Sequence, residues 1–206
     1  GADNKAGVAA ILSAMKHLIE HPEIPHGEMK VAFTPDEEVG RGADFFDVEG
    51  FGADFAYTID GGPVGEITWE SFNAASATVE ILGNSIHPGH AKDVMINAQI
   101  VAMELFQMLP VAQRPEHTAN YEGFYLLHSM QGNVEKAELR LIIRDHDREK
   151  FEHKKQFLRD AAAFLNKKYG ERITVETNDS YYNMGEKIKP RMEIVVLAEQ
   201  AMKDIG

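Results

Sequence analysis

The sequence predicts an α/β protein in two parts, with an α+β domain inserted into an α/β domain. Three observations carry this expectation. The first sixty residues read helix, strand, loop, strand, with acidic, Gly-rich turns after the strands, where α/β sheets place their functional groups. From 77 to 177 the order of patterns becomes β-α-β-β-α-β, the split-βαβ arrangement of a helix-backed antiparallel sheet. A helical pattern then resumes over 190–203. The chain is therefore expected to leave the first domain near 73 and to return near 187, with parts at 1–72, 73–186 and 187–206.

Each element follows from its residues. Val8, Ile11, Leu12, Met15, Leu18 and Ile19 recur at three- and four-residue steps and predict an amphipathic helix over 6–20. Pro22, Pro25 and Gly27 break it. Met29–Thr34 reads as a short buried strand closed by Pro35, and Phe55–Ile59 as a second strand ending at Asp60-Gly61-Gly62. Ala77–Leu82 alternates like a half-buried strand. Val94, Ala98, Val101, Ala102, Leu105 and Leu109 mark a helix over 93–109, and Pro110 to Pro115 ends it. Phe124–Met130 and Leu139–Arg144 predict two strands joined across Gly132-Asn133. Asp147–Tyr169 is a long charged helix with Phe151, Lys154, Leu158, Ala161 and Leu165 on its inner stripe, and Arg172–Thr177 is a last strand. Met192, Val195, Val196, Leu197, Ala198 and Met202 carry the final helix.

Composition narrows the function. The 206 residues are 44% hydrophobic and 26% charged, which excludes wholesale disorder, collagen and coiled-coil rods. Lys and Arg number 21 against 33 Asp and Glu, a net charge of −12 that disfavours binding a nucleic-acid backbone. The absence of cysteine removes disulfides and thiolate metal sites, so any metal must sit on carboxylates and imidazoles. No apolar run approaches a membrane span and no leader opens the chain, so the expected compartment is the cytoplasm. A start at Gly1 and a stop at Gly206, just after a helical pattern, read as a piece of a longer protein.

Three acidic sites stand beside strands or their turns: Asp3, the pair Glu37-Glu38, and Asp60. Two adjacent glutamates on an extended backbone point apart, so one can bind a metal while the other handles a proton. Taken singly, Asp3 reads equally as a helix N-cap, Glu37-Glu38 as a solvated loop and Asp60-Gly61 as a turn.

The motifs around these acids carry a resemblance. Gly1-Ala2-Asp3-Asn4-Lys5-Ala6-Gly7, Thr34-Pro35-Asp36-Glu37-Glu38-Val39-Gly40 and Ile59-Asp60-Gly61-Gly62 are similar to motifs of the di-zinc aminoacylase and carboxypeptidase family of metallopeptidases. Asn73-Ala74-Ala75-Ser76, His87-Pro88-Gly89, Tyr121-Glu122-Gly123-Phe124-Tyr125, Ile143-Arg144-Asp145 and Asp179–Met184 extend the resemblance over nearly the whole chain. These later motifs are more particular to the tripeptide aminopeptidases of that family.

The resemblance implies a zinc-peptidase α/β catalytic domain carrying an inserted lid domain at 73–186. It implies removal of the N-terminal residue from tripeptides, with two Zn2+ ions per active site in the complete enzyme. Asp3 would bridge the two ions, Glu38 and Asp60 would each complete one site, and Glu37 would be the general base. His87 would stabilise the oxyanion when the lid closes. Arg144 is a candidate anchor for a peptide carboxylate, or else a strand-end salt bridge to Asp145 or Asp147. Asn183, with Tyr181 and Tyr182, is a candidate wall of the same pocket, the tyrosines serving equally as hinge packing. The chain departs from the family pattern in three places. The His-x-Asp motif would precede residue 1, the last His ligand would follow residue 206, and Asn4 stands where relatives usually carry Asp. The segment alone is accordingly expected to be inactive or nearly so.

The remaining features read as structural. His21, His26 and His128 show no spacing to a second ligand and read as surface groups. Met95, Met103 and Met108 fit helix packing. Lys150, Lys154, Lys155, Lys167 and Lys168 read as a solvated charged face. The expected partners are a small peptide substrate and a second copy of the chain through the lid, with no nucleic acid and no membrane. Two other readings stand beside this one: a dipeptidase or N-acyl amino-acid deacylase on the same site, and a non-catalytic binding or assembly module.

Overall fold

Helix α1 (Lys5–Glu20) starts where the sequence supplies a cap, since Asn4 Oδ1 accepts the Gly7 N–H at 2.9 Å. The cap is thus Asn4, and the alternative of Asp3 as the N-cap is set aside. The chain is described here over residues 3–205 by a computed structural model; Gly1 and Ala2, which open the first motif, and Gly206 lie outside the described residues. It divides into two units, residues 1–66 and 67–206.

In the first unit, α1 is followed by a 3-10 turn at Glu37–Val39 and the short helix α2 (Val48–Phe51). The strands expected at 29–34 and 55–59 do not form ladders among the described residues. Their apolar side chains are half exposed rather than buried: Phe33 at 52% and Ile59 at 50%. A strand is stabilised by a paired neighbour, and an apolar pattern without one leaves an extended segment. Lys30 Nζ secures the first segment by donating to the Phe51 carbonyl at 2.7 Å.

The second unit holds the predicted sheet. Strands β1 (Asn73–Leu82), β2 (Phe124–Gly132), β3 (Lys136–Asp145) and β4 (Ile173–Tyr181) pair antiparallel in the order β2-β3-β1-β4. Helices α3 (Ala98–Met108) and α4 (Arg148–Tyr169) cover one face, α5 (Gly185–Ile188) follows β4, and α6 (Glu193–Ile205) closes the described chain. β1 begins four residues before the predicted start, because Ala74 and Ala75 pair in register although they do not alternate in polarity. α3 begins five residues late, where Asn97 Oδ1 accepts the Gln99 N–H at 3.0 Å. The β2–β3 turn falls at Gly132-Asn133 as expected, with Asn133 Oδ1 accepting from Glu135 N and Lys136 N at 2.8 and 3.1 Å.

The core lies between sheet and helices. Val79, Ile81, Leu139, Leu141 and Ile143 of the sheet meet Val101, Leu105, Phe151, Leu158 and Leu165 of the helices, all essentially without exposure. Each such side chain contributes about 1.5–3 kcal/mol by leaving water. Tyr125 joins them and donates its hydroxyl to the Lys154 carbonyl at 2.9 Å. Burial and, secondarily, the nearby Asp145 carboxylate push the Tyr125 phenol well above its ordinary range.

Lys154 and Lys155 correct the expectation of a solvated lysine face, for both are buried. Lys154 Nζ lies 3.2 Å from Asp145 Oδ2 and donates to Gln113 Oε1 at 2.8 Å. Lys155 Nζ lies 2.7 Å from Asp179 Oδ1. Their stems cover apolar surface while their heads meet carboxylates at the ends of β3 and β4. His21 also departs from expectation. It stands four residues after His17 on the same side of α1, with ring centroids 4.3 Å apart, and its Nδ1 lies 3.0 Å from Glu23 Oε1. No helix among the described residues is long and apolar enough to cross a membrane.

Candidate active site

The acids of the first unit are held by short-range backbone chemistry. The side chain of Asn4 does two things at once. Its Oδ1 caps α1, and its Nδ2 donates to the Ile59 carbonyl at 2.7 Å. The residue after Asp3 is thereby fastened to the residue before Asp60. Gly7 makes this possible: a Cβ there would lie 2.4 Å from Asn4 Nδ2 and 2.9 Å from the Ile59 oxygen. The Asp3–Asn4 peptide is cis. Asp60 is exposed and accepts the Gly61 N–H at 2.7 Å, so it does form the local turn contact.

Glu37 and Glu38 occupy the 3-10 turn, not an extended segment. Asp36 at φ 62° and Gly40 at φ 71° close it from both ends, with Gly40 N donating to the Glu37 carbonyl at 2.7 Å. At three residues per turn, adjacent side chains diverge by about 120°, so the two carboxylates still point apart. Both are exposed. Among the described residues no cationic side chain forms an ion pair with Asp3, Glu37, Glu38 or Asp60. Equally, no three His, Cys, Asp or Glu groups among the described residues converge to hold a metal ion. The structure therefore joins the surroundings of Asp3 and Asp60 without gathering Asp3, Glu38 and Asp60 into a cluster.

In the second unit His87 is exposed and begins a 3-10 turn at Pro88–His90. Its Nδ1 accepts the Gly89 N–H at 3.1 Å. A neutral imidazole accepting at Nδ1 carries its proton on Nε2, so the turn sets the tautomer and leaves Nε2–H to donate outward.

Arg144 sits near the end of β3, in register with Phe124 of β2 on one side and Ala74 of β1 on the other. Its guanidinium lies 5.0 Å from the Tyr181 ring centroid. Neither carboxylate considered for a strand-end salt bridge pairs with it. Asp145 is taken by Lys154, and Asp147 caps α4 by accepting the Lys150 N–H at 2.8 Å. Partial burial pulls the Arg144 guanidinium below its ordinary range, the mark of a cation short of compensating charge.

Asn183 is buried, and its amide is committed to backbone. Oδ1 accepts from Ser71 N and Gly185 N at 3.0 and 2.8 Å, and Nδ2 donates to the His146 carbonyl at 3.0 Å. Asn73 completes the knot, with Nδ2 reaching the Asp145 and His146 carbonyls and Oδ1 accepting from Asn183 N, all at 3.0 Å. Tyr182 donates to Asp179 Oδ2 at 2.9 Å, and Arg148 stacks 3.7 Å from the Tyr182 ring centroid.

Sequence reasoning missed the aromatic group beside Arg144. Phe72 packs edge-on against Phe124 at 5.6 Å and against His146 at 4.0 Å, and Tyr121 lies 4.7 Å from the other ring contact of His146. The motif Tyr121–Tyr125 was the available signal, but aromatic residues in a strand read first as core.

Residues 69–173 match the peptidase dimerisation domain, and the chain belongs to that family. Over its whole length the chain is 58% identical to a peptidase T of Clostridium perfringens, covering 51% of that relative. It is 56% identical to a peptidase T of Bacillus subtilis, covering 50% of it. The chain thus spans about half the length of the curated relatives it matches. Its fold is similar to the crystal structure of aminopeptidase PepT from Bacillus cereus, with a TM-score of 0.78, 27% identity, and coverage of 89% of this chain and 50% of that one. A tripeptidase from Staphylococcus aureus matches with a TM-score of 0.76 and 25% identity, covering 89% of this chain and 49% of that one.

Proposed function

We propose that the chain is part of a metal-dependent aminopeptidase that removes the N-terminal residue from tripeptides. The observation that carries this reading is the set of exposed carboxylates at Asp3, Glu37, Glu38 and Asp60. They meet no cationic side chain among the described residues, in a chain 58% identical throughout to a peptidase T. Unpaired carboxylates fit a divalent cation by charge and donor type. They do not close a coordination shell by themselves, so further ligands are required.

Asp3 bridges two ions, Zn2+ in this reading, and Glu38 and Asp60 each serve one of them. When bound, the ions supply polarisation of the scissile carbonyl and of the attacking water. Glu37 takes a proton from that water and returns it to the leaving amine. His87 donates Nε2–H to the carbonyl oxygen as negative charge develops on it, a role supported by the Nδ1 bond to Gly89 N. Arg144 takes the peptide carboxylate through its fork of N–H donors. Asn183 is a positioning residue that holds the ends of β1, β3 and β4 together beside Arg144. Residues 1–72 and 187–206 belong to the catalytic domain and 73–186 to the lid, and the dimerisation-domain match supports a homodimer through the lid.

Glu37→Gln in the full-length protein tests the reading. The expected outcome is a kcat lower by about 10²–10⁴-fold with metal content retained, whereas Asp3→Ala loses the metal. A preference for N-acetylated over free-amine tripeptides would show the enzyme to be a deacylase instead.

A further inference from the structure

We propose that a cavity beside Arg144 is the subsite for the side chain of the peptide's C-terminal residue, and that it selects apolar side chains. The inference rests on the reading of Arg144 as the carboxylate anchor. The cavity has a volume of about 210 Å³, and its walls include Phe72, Phe124, Pro115, Thr118, Ala119 and Glu122. It lies in the second unit, so every wall belongs to the sheet domain or its loops.

Register ties the cavity to Arg144. Phe124, one of its walls, is the Cα partner of Arg144 across the β2–β3 ladder. Directly opposed residues project to the same face of a sheet with Cβ atoms about 4.5–5.5 Å apart. On its other side Arg144 faces Ala74, whose small side chain lets the guanidinium reach toward Tyr181. The cation is therefore turned toward β4, and the aromatic wall stands on the β2 side of the same row. A C-terminal residue presents a carboxylate and a side chain from a single Cα. Two sites one strand apart, about 4.8 Å, match that divergence.

The lining sets the chemical class. Phe72 and Phe124 meet edge to face, and Pro115 and Ala119 add apolar surface. A cavity of about 150 Å³ with such a lining already holds benzene, so this one accommodates a phenyl or branched aliphatic group. The Glu122 carboxylate, which accepts the Ala119 N–H at 2.9 Å, adds a fixed negative charge that opposes an acidic side chain.

The test uses the full-length enzyme with its metal and the peptides Ala-Ala-Leu, Ala-Ala-Gly and Ala-Ala-Asp. The expected kcat/KM for the Leu-terminated peptide exceeds that for the Gly-terminated one by about tenfold or more, and the Asp-terminated peptide is poorest. Ala119→Trp, placed on an exposed loop and filling the cavity, is expected to bring the Leu-to-Gly ratio down to about one. Equal kcat/KM for the Leu and Gly peptides, or a Leu preference that survives Ala119→Trp, would overturn the subsite alone. Hydrolysis of none of the three would overturn the aminopeptidase reading itself, and the subsite with it.

Discussion

Asn4 Nδ2 donates to the Ile59 carbonyl across 2.7 Å, while Asn4 Oδ1 caps helix α1. One amide therefore joins a helix start to an extended segment fifty-five residues away, with a candidate metal ligand adjoining each end. An aspartate at this position keeps the capping oxygen and lacks the N–H donor. The asparagine thus combines two tasks that the family's usual residue cannot combine in its charged form.

Removing that amide has a measurable cost. Asn4→Ala loses the cap and the cross-link together, and is expected to lower stability by about 1–2 kcal/mol. Gly7→Ala is expected to destabilise by a similar amount for the opposite reason, because its methyl collides with Asn4 Nδ2 and the Ile59 oxygen. Chemical denaturation followed by circular dichroism reads both.

Arg144 makes a prediction about substrate charge. A charge-assisted pair contributes about 1.5–3 kcal/mol, so Arg144→Ala is expected to raise KM for tripeptides by roughly 10–150-fold. C-terminally amidated tripeptides are expected to lose most of their difference from free acids in the variant. Steady-state kinetics on the two peptide forms checks this, and an unchanged discrimination would remove Arg144 from the carboxylate site.

Asn183 is expected to act on stability. Asn183→Ala strips partners from Ser71 N, Gly185 N and the His146 carbonyl, and unsatisfied buried groups cost roughly 1–3 kcal/mol each. Urea unfolding is expected to show a clear loss. Asn183→Asp, which keeps the two accepting contacts, is expected to recover part of the stability. A substrate-binding role alone would move KM and leave the unfolding midpoint in place.

Asp179 predicts an acid limb. Burial raises its carboxyl, but hydrogen bonds from Lys155 and Tyr182 outweigh that and hold it below the ordinary aspartate range. A folded-state pKa below the unfolded one stabilises the fold above the unfolded value. That contribution is lost as pH falls through the folded value. Stability measured in urea is therefore expected to drop below pH ~4, and Asp179→Asn to flatten that part of the profile.

Much of the sheet domain was legible because its signals are local. Alternation at 77–82, the stripe from Phe151 to Leu165 and the turn at Gly132-Asn133 each act within a few residues, and each appears close to its predicted place. The segments at 29–34 and 55–59 misled for the same reason. Their apolar runs carry strand propensity, but a strand exists only where another strand offers hydrogen-bond partners.

By itself the sequence determined which short segments are helical or extended, where caps and turns fall, and which carboxylates stand free beside glycine. These are consequences of backbone preference and of side chains reaching their own neighbours. Tertiary structure alone decided the strand order β2-β3-β1-β4, the burial of Lys154 and Lys155 against Asp145 and Asp179, and the meeting of Arg144 with Phe124 and Tyr181. Those contacts join residues distant along the chain, and they are fixed by ladder register and close packing, which no local pattern encodes.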